Sequence, residues 1–412
     1  MSADTPPASK IVSTALVLTG YMVGAGILAL PVNLGPSGFI PALCGAVAVW
    51  FVMTCTGLII SRQPFLVQNE NADMPSLFES VLGKAGKWFS VAANLLILYG
   101  LLTAYLAGVS TVAVQSFHVP LPEWGVLIIY FCVITLLTSL GDAVLRRGNA
   151  ILMVAMWVLF ALLLVLVVPH FEGVDPGGMD MSFFTSGLPI LVVAFNFHNV
   201  VPTLCHSLNN DRAAINKAIW LGSGIGFLMT VSWTIAVLLT LPVESSSGVD
   251  IIHAFNAGLP ATVPLNRLIH SRVFVNVSIA FSVVAMSTSY MGTGAGLMSF
   301  IRDVSGERLR SRCAVWLLSF MPPLLVGVLY PNGFLGALNV VGGLGIGTLF
   351  GILPGVLLIK QGAPGSRRRF LGWLIVAFFT VVLLVECGQE LGMLKISPDV
   401  EYWSHHSYNF VE

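Results

Sequence analysis

Residues 187–207 read GLPILVVAFNFHNVVPTLCHS, an apolar segment with a polar centre. Asn196, His198 and Asn199 lie where a bilayer-spanning helix is driest, and Pro202 follows them. Polar groups at that depth are expensive and commonly mark functional sites. We therefore predict that this segment is a transmembrane helix broken at its centre, and that the rest of the chain is arranged around the break.

A second segment has the same character. Residues 11–34 are apolar but are interrupted by Gly20 and by Gly24-Ala25-Gly26. Two interrupted hydrophobic segments at corresponding positions of two halves indicate the midplane binding site of a secondary transporter.

The composition excludes an ordinary soluble domain. Of 412 residues, 56% are hydrophobic and 9% are charged, whereas soluble domains are about 25% charged. The mean hydropathy is +0.89. The apolar runs are continuous and do not alternate, so they indicate helices and not barrel strands. We predict an all-α integral membrane protein.

Eleven stretches approach the ~20 residues that cross a bilayer. They are residues 11–34, 39–61, 88–115, 124–140, 149–168, 187–207, 217–241, 273–300, 313–330, 334–359 and 370–387. Five helices in each half (11–168 and 187–359) are an odd number, so the second half enters the membrane with opposite orientation. We predict one transporter domain with a five-plus-five inverted repeat whose helices 1 and 6 are broken. An extra helix (370–387) and an outer tail (388–412) follow it.

Basic residues predict the orientation, because short cytoplasmic loops are enriched in Lys and Arg. With the N-terminus inside, every Lys and Arg except Arg267, Arg272 and Lys395 lies on the cytoplasmic side. The C-terminus is then expected outside.

Several function classes are disfavoured by what the spans lack. No Lys or Arg lies deep in a span, and Glu386 is the only carboxylate inside one, near the outer end of the last. Charged-ring channels and carboxylate proton relays need such groups. The six cysteines are scattered without a Cys-x-x-Cys pair, so we predict no disulfide and no metal site. We expect no enzyme activity, no catalytic residue, no cofactor and, without a long basic run, no nucleic acid partner.

The two breaks suit a zwitterion. Glycines at 24 and 26 let the backbone leave helical geometry, and the half-helix beginning near Ile27 directs its N–H groups at a carboxylate. Helix–helix packing through Gly20 and Gly24 is the alternative. The half-helix ending near Phe195 presents carbonyls to an ammonium group.

Candidate coupling groups are few. His198 is the one deep imidazole, and it is either a proton or substrate contact or a neutral ring hydrogen-bonded to backbone. Thr288 and Ser289 are candidates for holding a cation, although bonds to the preceding turn are more common. Tyr99 and Thr103 share a helix face, and with Tyr21, Phe195 and Phe197 they are candidates for an aromatic-lined pocket.

Two connections carry further expectations. Residues 63–86 are expected to form a short amphipathic cytoplasmic helix, as a connector or a gate. Residues 242–271 are expected either to cover an outer vestibule or to be a plain linker.

Three motifs resemble one family. GYMVGAGILALPV at 20–32, FNFHNVVP at 195–202 and MPPLLVGVLYPNGF at 321–334 resemble the bacterial aromatic amino acid permeases, the tryptophan- and tyrosine-specific branch of the hydroxy and aromatic amino acid permease family. The resemblance implies the leucine-transporter-type repeat, and proton-coupled import of an aromatic amino acid across the bacterial inner membrane. It matches Gly24, Ala25 and Gly26; Phe197, His198, Val201 and Pro202; Thr288 and Ser289; and Pro331, Gly333 and Phe334. Tyr21, Asn196 and Asn199 depart from it, which bears on pocket volume and substrate.

The substrate set is thus Tyr21, Gly24, Ala25, Gly26, Tyr99, Thr103, Phe195, Asn196, Phe197, His198 and Asn199, and the coupling-ion set is His198, Thr288 and Ser289. The expected partners are an aromatic amino acid, a proton or sodium ion, and the lipid bilayer. A serine, threonine or other neutral amino acid permease is the alternative.

Overall fold

The computed structural model describes residues 6–68, 73–117, 121–139, 142–173, 180–305 and 311–394. These residues form an all-α fold. Its helices are α1 (Ala8–Met22), α2 (Ala25–Leu34), α3 (Phe39–Ser61), α4 (Pro64–Gln68), α5 (Met74–Phe117), α6 (Glu123–Ser139), α7 (Asp142–Val167), α8 (Ser182–Ala194), α9 (Val201–Ser207), α10 (Arg212–Thr240), α11 (Ile251–Asn256), α12 (Thr262–Leu268), α13 (Arg272–Ser305), α14 (Arg312–Leu329), α15 (Phe334–Val340), α16 (Leu353–Gln361) and α17 (Arg367–Glu390). A π-helix (Val341–Ile352) joins α15 to α16.

Within the described residues, nine helices are long and apolar enough to cross a membrane, or ten if the bent pair α1 and α2 is one span. At 17 residues, α6 is apolar but shorter. A multi-pass membrane protein is therefore supported. The eleventh span, the inverted repeat, the domain boundaries and the orientation stay predictions. Most of the predicted outer tail, from residue 395, lies outside the described residues.

The first break separates α1 from α2 by a bend of 54°. Helical geometry ends at Val23, and Gly24 has φ −141° and ψ −146° before α2 begins at Ala25. That start is two residues earlier than the Ile27 expected from the sequence. The two half-helices have different neighbours, because α1 packs against α10 whereas α2 packs against α8.

The second break lies between α8 and α9. The N–H groups of Phe195 and Asn196 donate to the carbonyls of Leu191 and Val193, which closes the end of α8. His198–Val200 form a 3₁₀ turn, and α9 begins with Pro202 in its first turn. Proline is tolerated there because the first N–H groups of a helix have no intrahelical partner.

Glycines let the second half pack closely. An added Cβ on Gly342 would contact the Pro189 carbonyl of α8, and one on Gly351 would contact the Phe379 ring of α17. The π-helix thus packs against α8 and α17, and it also packs against α5. The sequence analysis did not predict it.

Residues 242–271 pack against the helices of the bundle, and we call this segment the cover. The Ala261 N–H donates to the Leu28 carbonyl over 3.0 Å, and the Thr262 and Ser282 hydroxyls lie 3.2 Å apart. Asn266 donates to the Ser116 hydroxyl over 3.0 Å. The first bond ties the residue before α12 to α2, and the other two tie α12 to α13 and α5. This part of the segment is therefore packed against the bundle, and the expectation that it covers an outer vestibule stays a prediction.

The connector before the third span is built into α5. Its first turns, from Met74, are separated from the rest of the helix by Gly83. Gly83 has φ +73°, a conformation that other residues rarely adopt. The connector is therefore joined to the rest of α5 by a kink at Gly83.

Candidate functional site

A cavity of about 350 Å³ lies where the two broken helices meet α5 and α13. This volume is within the range of roughly 300–1,000 Å³ common for ligand sites. The lining residues are Gly20, Tyr21, Asp73, Met74, Pro75, Asn94, Leu98, Leu101, Tyr105, Met153, Asn196, Phe197, Asn199, Pro202, Thr203, Thr288, Ser289, Gly292, Thr293, Gly296, Ser299, Phe300 and Asp303.

The first break borders the cavity through two hydroxyls. A Cβ added to Gly24 would lie 2.8 Å from the Ser289 hydroxyl oxygen and 3.7 Å from the Tyr105 hydroxyl oxygen. The absence of a side chain at Gly24 therefore lets α13 and α5 approach the start of α2. The first four N–H groups of α2 have no intrahelical partner, so this corner combines amide and hydroxyl donors.

The second break supplies the facing wall. Asn196, Phe197 and Asn199 line the cavity beside Pro202 and Thr203. On α5, the buried Asn94 also lines the cavity, and its side-chain oxygen has no hydrogen-bond partner among the described residues. An unpaired buried acceptor is costly. Asn94 is therefore suited to a ligand N–H group.

The cavity opens at the end of the bundle from which α1 starts. Met74 and Pro75 of the connector, and Ser299 and Asp303 of α13, line the opening. The connector thus contributes to the mouth. No Lys or Arg is among the lining residues, whereas Asp73 and Asp303 are. The sequence indicated polar groups at the two helix breaks. The structure adds the acidic residues Asp73 and Asp303 to the cavity lining.

His198 lies behind the cavity wall. Its ring is fully buried and stacks with Phe197 at 4.7 Å and with Phe350 at 4.9 Å between ring centroids. Its Nε2 is 2.8 Å from the Thr56 hydroxyl oxygen, and its Nδ1 is 3.2 Å from the side-chain oxygen of Asn196. Asn196 lines the cavity, so the imidazole reaches the cavity through this one amide.

The same positions accommodate two protonation forms of His198. Thr56 also lies 2.9 Å from the Met53 carbonyl, and a hydroxyl has a single proton to donate. If Thr56 donates to Met53, Nε2 must donate to Thr56, and a second donor at Nδ1 makes the ring charged. If Thr56 donates to Nε2, a neutral ring that donates from Nδ1 satisfies both contacts. The contacts of His198 therefore suit either form of the ring.

The structure brings together part of the predicted site. Tyr21, Asn196, Phe197, Asn199, Thr288 and Ser289 line the cavity, whereas Gly24, Ala25, Gly26, Tyr99, Thr103, Phe195 and His198 are not among its lining residues.

Those outside the cavity have other contacts. An added Cβ on Gly26 would lie 2.8 Å from Cα of Ala194, so this glycine serves the packing of α2 on α8. The Tyr99 hydroxyl donates to the Leu318 carbonyl of α14, and Thr103 donates to the Tyr99 carbonyl. Phe195 is buried against Phe227.

The predicted site lacked the α5 wall. Asn94, Leu98, Leu101 and Tyr105 all line the cavity. Their spacings of four, three and four residues place them on one helix face. Asn94, a polar residue inside the apolar span 88–115, was the sequence feature that could have indicated this face. In the structure this face, and not the face of Tyr99, lines the cavity.

The chain matches the family model described as the tryptophan/tyrosine permease family over residues 8–390. The tyrosine-specific transport system 1 of Haemophilus influenzae is 26% identical over 346 residues, 81% of this chain and 84% of that protein. The tryptophan-specific transport protein of Pseudomonas aeruginosa is 25% identical over 385 residues, 89% of each chain. The low affinity tryptophan permease of Escherichia coli K12 is 23% identical over 408 residues, 92% of this chain and 95% of that protein.

Proposed function

Because the chain belongs to the tryptophan/tyrosine permease family, we propose that it imports an aromatic amino acid across the bacterial inner membrane by proton symport with alternating access. Similar proteins are named as tyrosine- and tryptophan-specific transporters. The protein is then a transporter and not an enzyme, with its N-terminus in the cytoplasm and its C-terminus in the periplasm.

The observation that carries this proposal is a cavity bordered by both helix breaks, open at one end and covered at the other. Asn196 and Phe197 of the second break face it, and Ser289 at its wall adjoins Gly24 of the first break. The cover that holds α2 through Ala261 lies at the closed end. A site at the centre that is open to one side is the arrangement required for alternating access.

The substrate class follows from the charges. The N–H groups at the start of α2 favour a carboxylate, and the carbonyls at the end of α8 favour an ammonium group. No basic side chain lines the cavity to pair with an extra negative charge, and an unpaired charge in a dry site is costly. Acidic amino acids are therefore rejected.

The side chain of the substrate meets aromatic residues. Tyr21, Tyr105 and Phe197 line the cavity, and each favourable ring pair contributes roughly 0.5–1.5 kcal/mol beyond burial. The free acceptor of Asn94 suits an N–H or O–H donor on the ring. Tryptophan and tyrosine are thus preferred, and phenylalanine, which lacks that donor, binds more weakly.

Proton coupling is proposed for His198. Its ring connects to the cavity through Asn196 and has contacts that suit both a neutral and a charged form. The alternative is a sodium ion held beside Thr288 and Ser289. Thr288 donates to the Ala285 carbonyl over 2.9 Å, but its oxygen keeps lone pairs that a cation can use, so an ion-replacement experiment must separate sodium from His198.

Uptake of labelled tyrosine and tryptophan into membrane vesicles with an imposed proton gradient tests the function. A panel of unlabelled amino acids should compete in the order aromatic, then small neutral, then charged. Strongest competition by serine would move the protein to a hydroxy amino acid permease. Loss of accumulation when the gradient is collapsed separates a symporter from a channel, and a requirement for sodium would replace the proton.

A further inference from the structure

A second polar site lies outside the cavity, where the π-helix, which continues from α15, packs against α17. Glu386 of α17 is 1% exposed, and one of its carboxyl oxygens (Oε2) has no hydrogen-bond partner among the described residues. Gly343 makes room for it, since an added Cβ there would lie 2.5 Å from Cβ of Glu386. None of these residues lines the cavity.

Two buried amides accompany the carboxyl. Gln389 follows Glu386 by three residues on α17, and Asn339 precedes Gly343 by four residues, so each shares a helix face with its neighbour. The side-chain oxygen of Gln389 and both polar side-chain atoms of Asn339 are unpartnered among the described residues. A π-helix begins two residues after Asn339, and such helices often occur at functional sites.

The unpartnered atoms are unbalanced. Three are acceptors, on Glu386, Gln389 and Asn339, and only the Asn339 amide nitrogen donates. Neither ion pair found among the described residues involves Glu386. A buried carboxylate without a cation is costly. Among the described residues, no positive side chain neutralises this charge or satisfies the three acceptors.

We propose that Glu386, Gln389 and Asn339 form a monovalent cation site that holds either a proton on the Glu386 carboxyl or a sodium ion between the three side-chain oxygens. With a proton bound, the Glu386 carboxyl donates to the side-chain oxygen of Asn339, and the Asn339 amide nitrogen donates to the side-chain oxygen of Gln389. With a sodium ion bound, the three side-chain oxygens coordinate the ion directly. Either ligand fixes α17 against the π-helix.

No basic side chain of α17 or of the elements packed against it lies near Glu386 among the described residues. The titratable neighbours of Glu386 on its own helix are Cys387 and Glu390. No titratable residue lies on α8, α15 or the π-helix. On α16 there is only Lys360, at the end far from Glu386.

Infrared spectroscopy and thermal unfolding of the purified full-length protein in detergent, without substrate, test the site. If the ligand is a proton, the infrared difference spectrum of wild type minus Glu386→Gln should contain the C=O stretch of a protonated carboxyl. If it is sodium, the band is absent, and sodium chloride raises the unfolding midpoint of wild type but not of Glu386→Gln, whereas choline chloride raises neither. An ionised carboxylate with no sodium effect would mean a buried water only and would overturn the proposal.

Exposed Glu244 provides the matched control. Glu244→Gln should leave both the carboxyl band and the sodium response as in wild type. If Glu386→Gln does not fold, Glu386→Asp retains the carboxyl at a shorter reach. It should then shift the band or weaken the sodium response; an unchanged spectrum and midpoint would exclude Glu386. Because no substrate or transport is involved, failure here leaves the proposed uptake function intact.

Discussion

The Thr56 hydroxyl oxygen lies 2.8 Å from Nε2 of His198, which joins α3 to the turn between α8 and α9. His198 is thereby fixed behind Asn196, so the ring contacts the cavity through another side chain. A proton on this ring is sheltered from substrate but remains one hydrogen bond from the cavity wall.

We predict that His198→Gln abolishes accumulation driven by a proton gradient while exchange of substrate across the membrane continues. The amide cannot alternate between neutral and charged forms, whereas the cavity-lining Asn196 is retained. Uptake and counterflow in the same vesicles measure the two activities. Accumulation with an unchanged pH profile would make His198 structural and would direct attention to Thr288, Ser289 and sodium.

A companion substitution separates coupling from packing. Thr56→Val removes the partner of Nε2 at nearly constant volume and should reduce coupling, with a stability loss of about 1–3 kcal/mol for the unpaired ring nitrogen. Thr56→Ser retains the hydroxyl and should transport as wild type does. Equal coupling in the two variants would show that this hydrogen bond has no part in it.

The glycines of the first break should differ in their effects. Gly26→Val should lose substrate binding and about 1–3 kcal/mol or more of stability, because its side chain meets backbone atoms of Ala194. Gly24→Ala meets the Ser289 hydroxyl, which can rotate, and should weaken binding with little change in unfolding midpoint. Ser289→Ala in that background should restore binding. Wild-type affinity in Gly26→Val would exclude the α2 amides from the site.

Tyr105 and Tyr99 form a matched pair on α5. The Tyr105 hydroxyl lies at the cavity near Ser289, whereas the Tyr99 hydroxyl bonds to Leu318 of α14. Tyr105→Phe should weaken binding by about 0.5–1.5 kcal/mol, or about 2- to 13-fold in Kd. Tyr99→Phe should leave Kd unchanged. The reverse result, measured by equilibrium binding of labelled tryptophan, would return the pocket to the Tyr99 face.

Accessibility along α13 should reveal the open end. In a cysteine-free background, Ser299→Cys at the cavity mouth should react with a hydrophilic thiol reagent, and bound substrate should slow the reaction. Ser282→Cys, fully buried beneath the cover, should react slowly. An impermeant reagent applied from each side of the membrane also tests the predicted cytoplasmic orientation of the mouth. Faster labelling of Ser282→Cys would place the opening at the other end.

The two breaks were predictable because their signals are local. Gly24 removes a side chain, and Asn196 to Asn199 introduce polar groups into an apolar run, so the helix is interrupted wherever those residues lie. Which neighbours surround the breaks is not a local property. The sequence pointed to Tyr99 because aromatic residues are conspicuous, but the helix rotation that places Asn94 and Tyr105 in the cavity depends on how α5 packs against α13 and α14.

By itself the sequence determined an all-α membrane protein with two interrupted helices, since hydropathy and polar interruptions act within one span. Only the tertiary structure decided that Gly26 packs against Ala194, that His198 lies behind Asn196, and that Glu386 is enclosed by the π-helix. These outcomes depend on distances between segments far apart in the chain. Close packing sets such distances, and the residue pattern of one helix does not specify which helix packs against it.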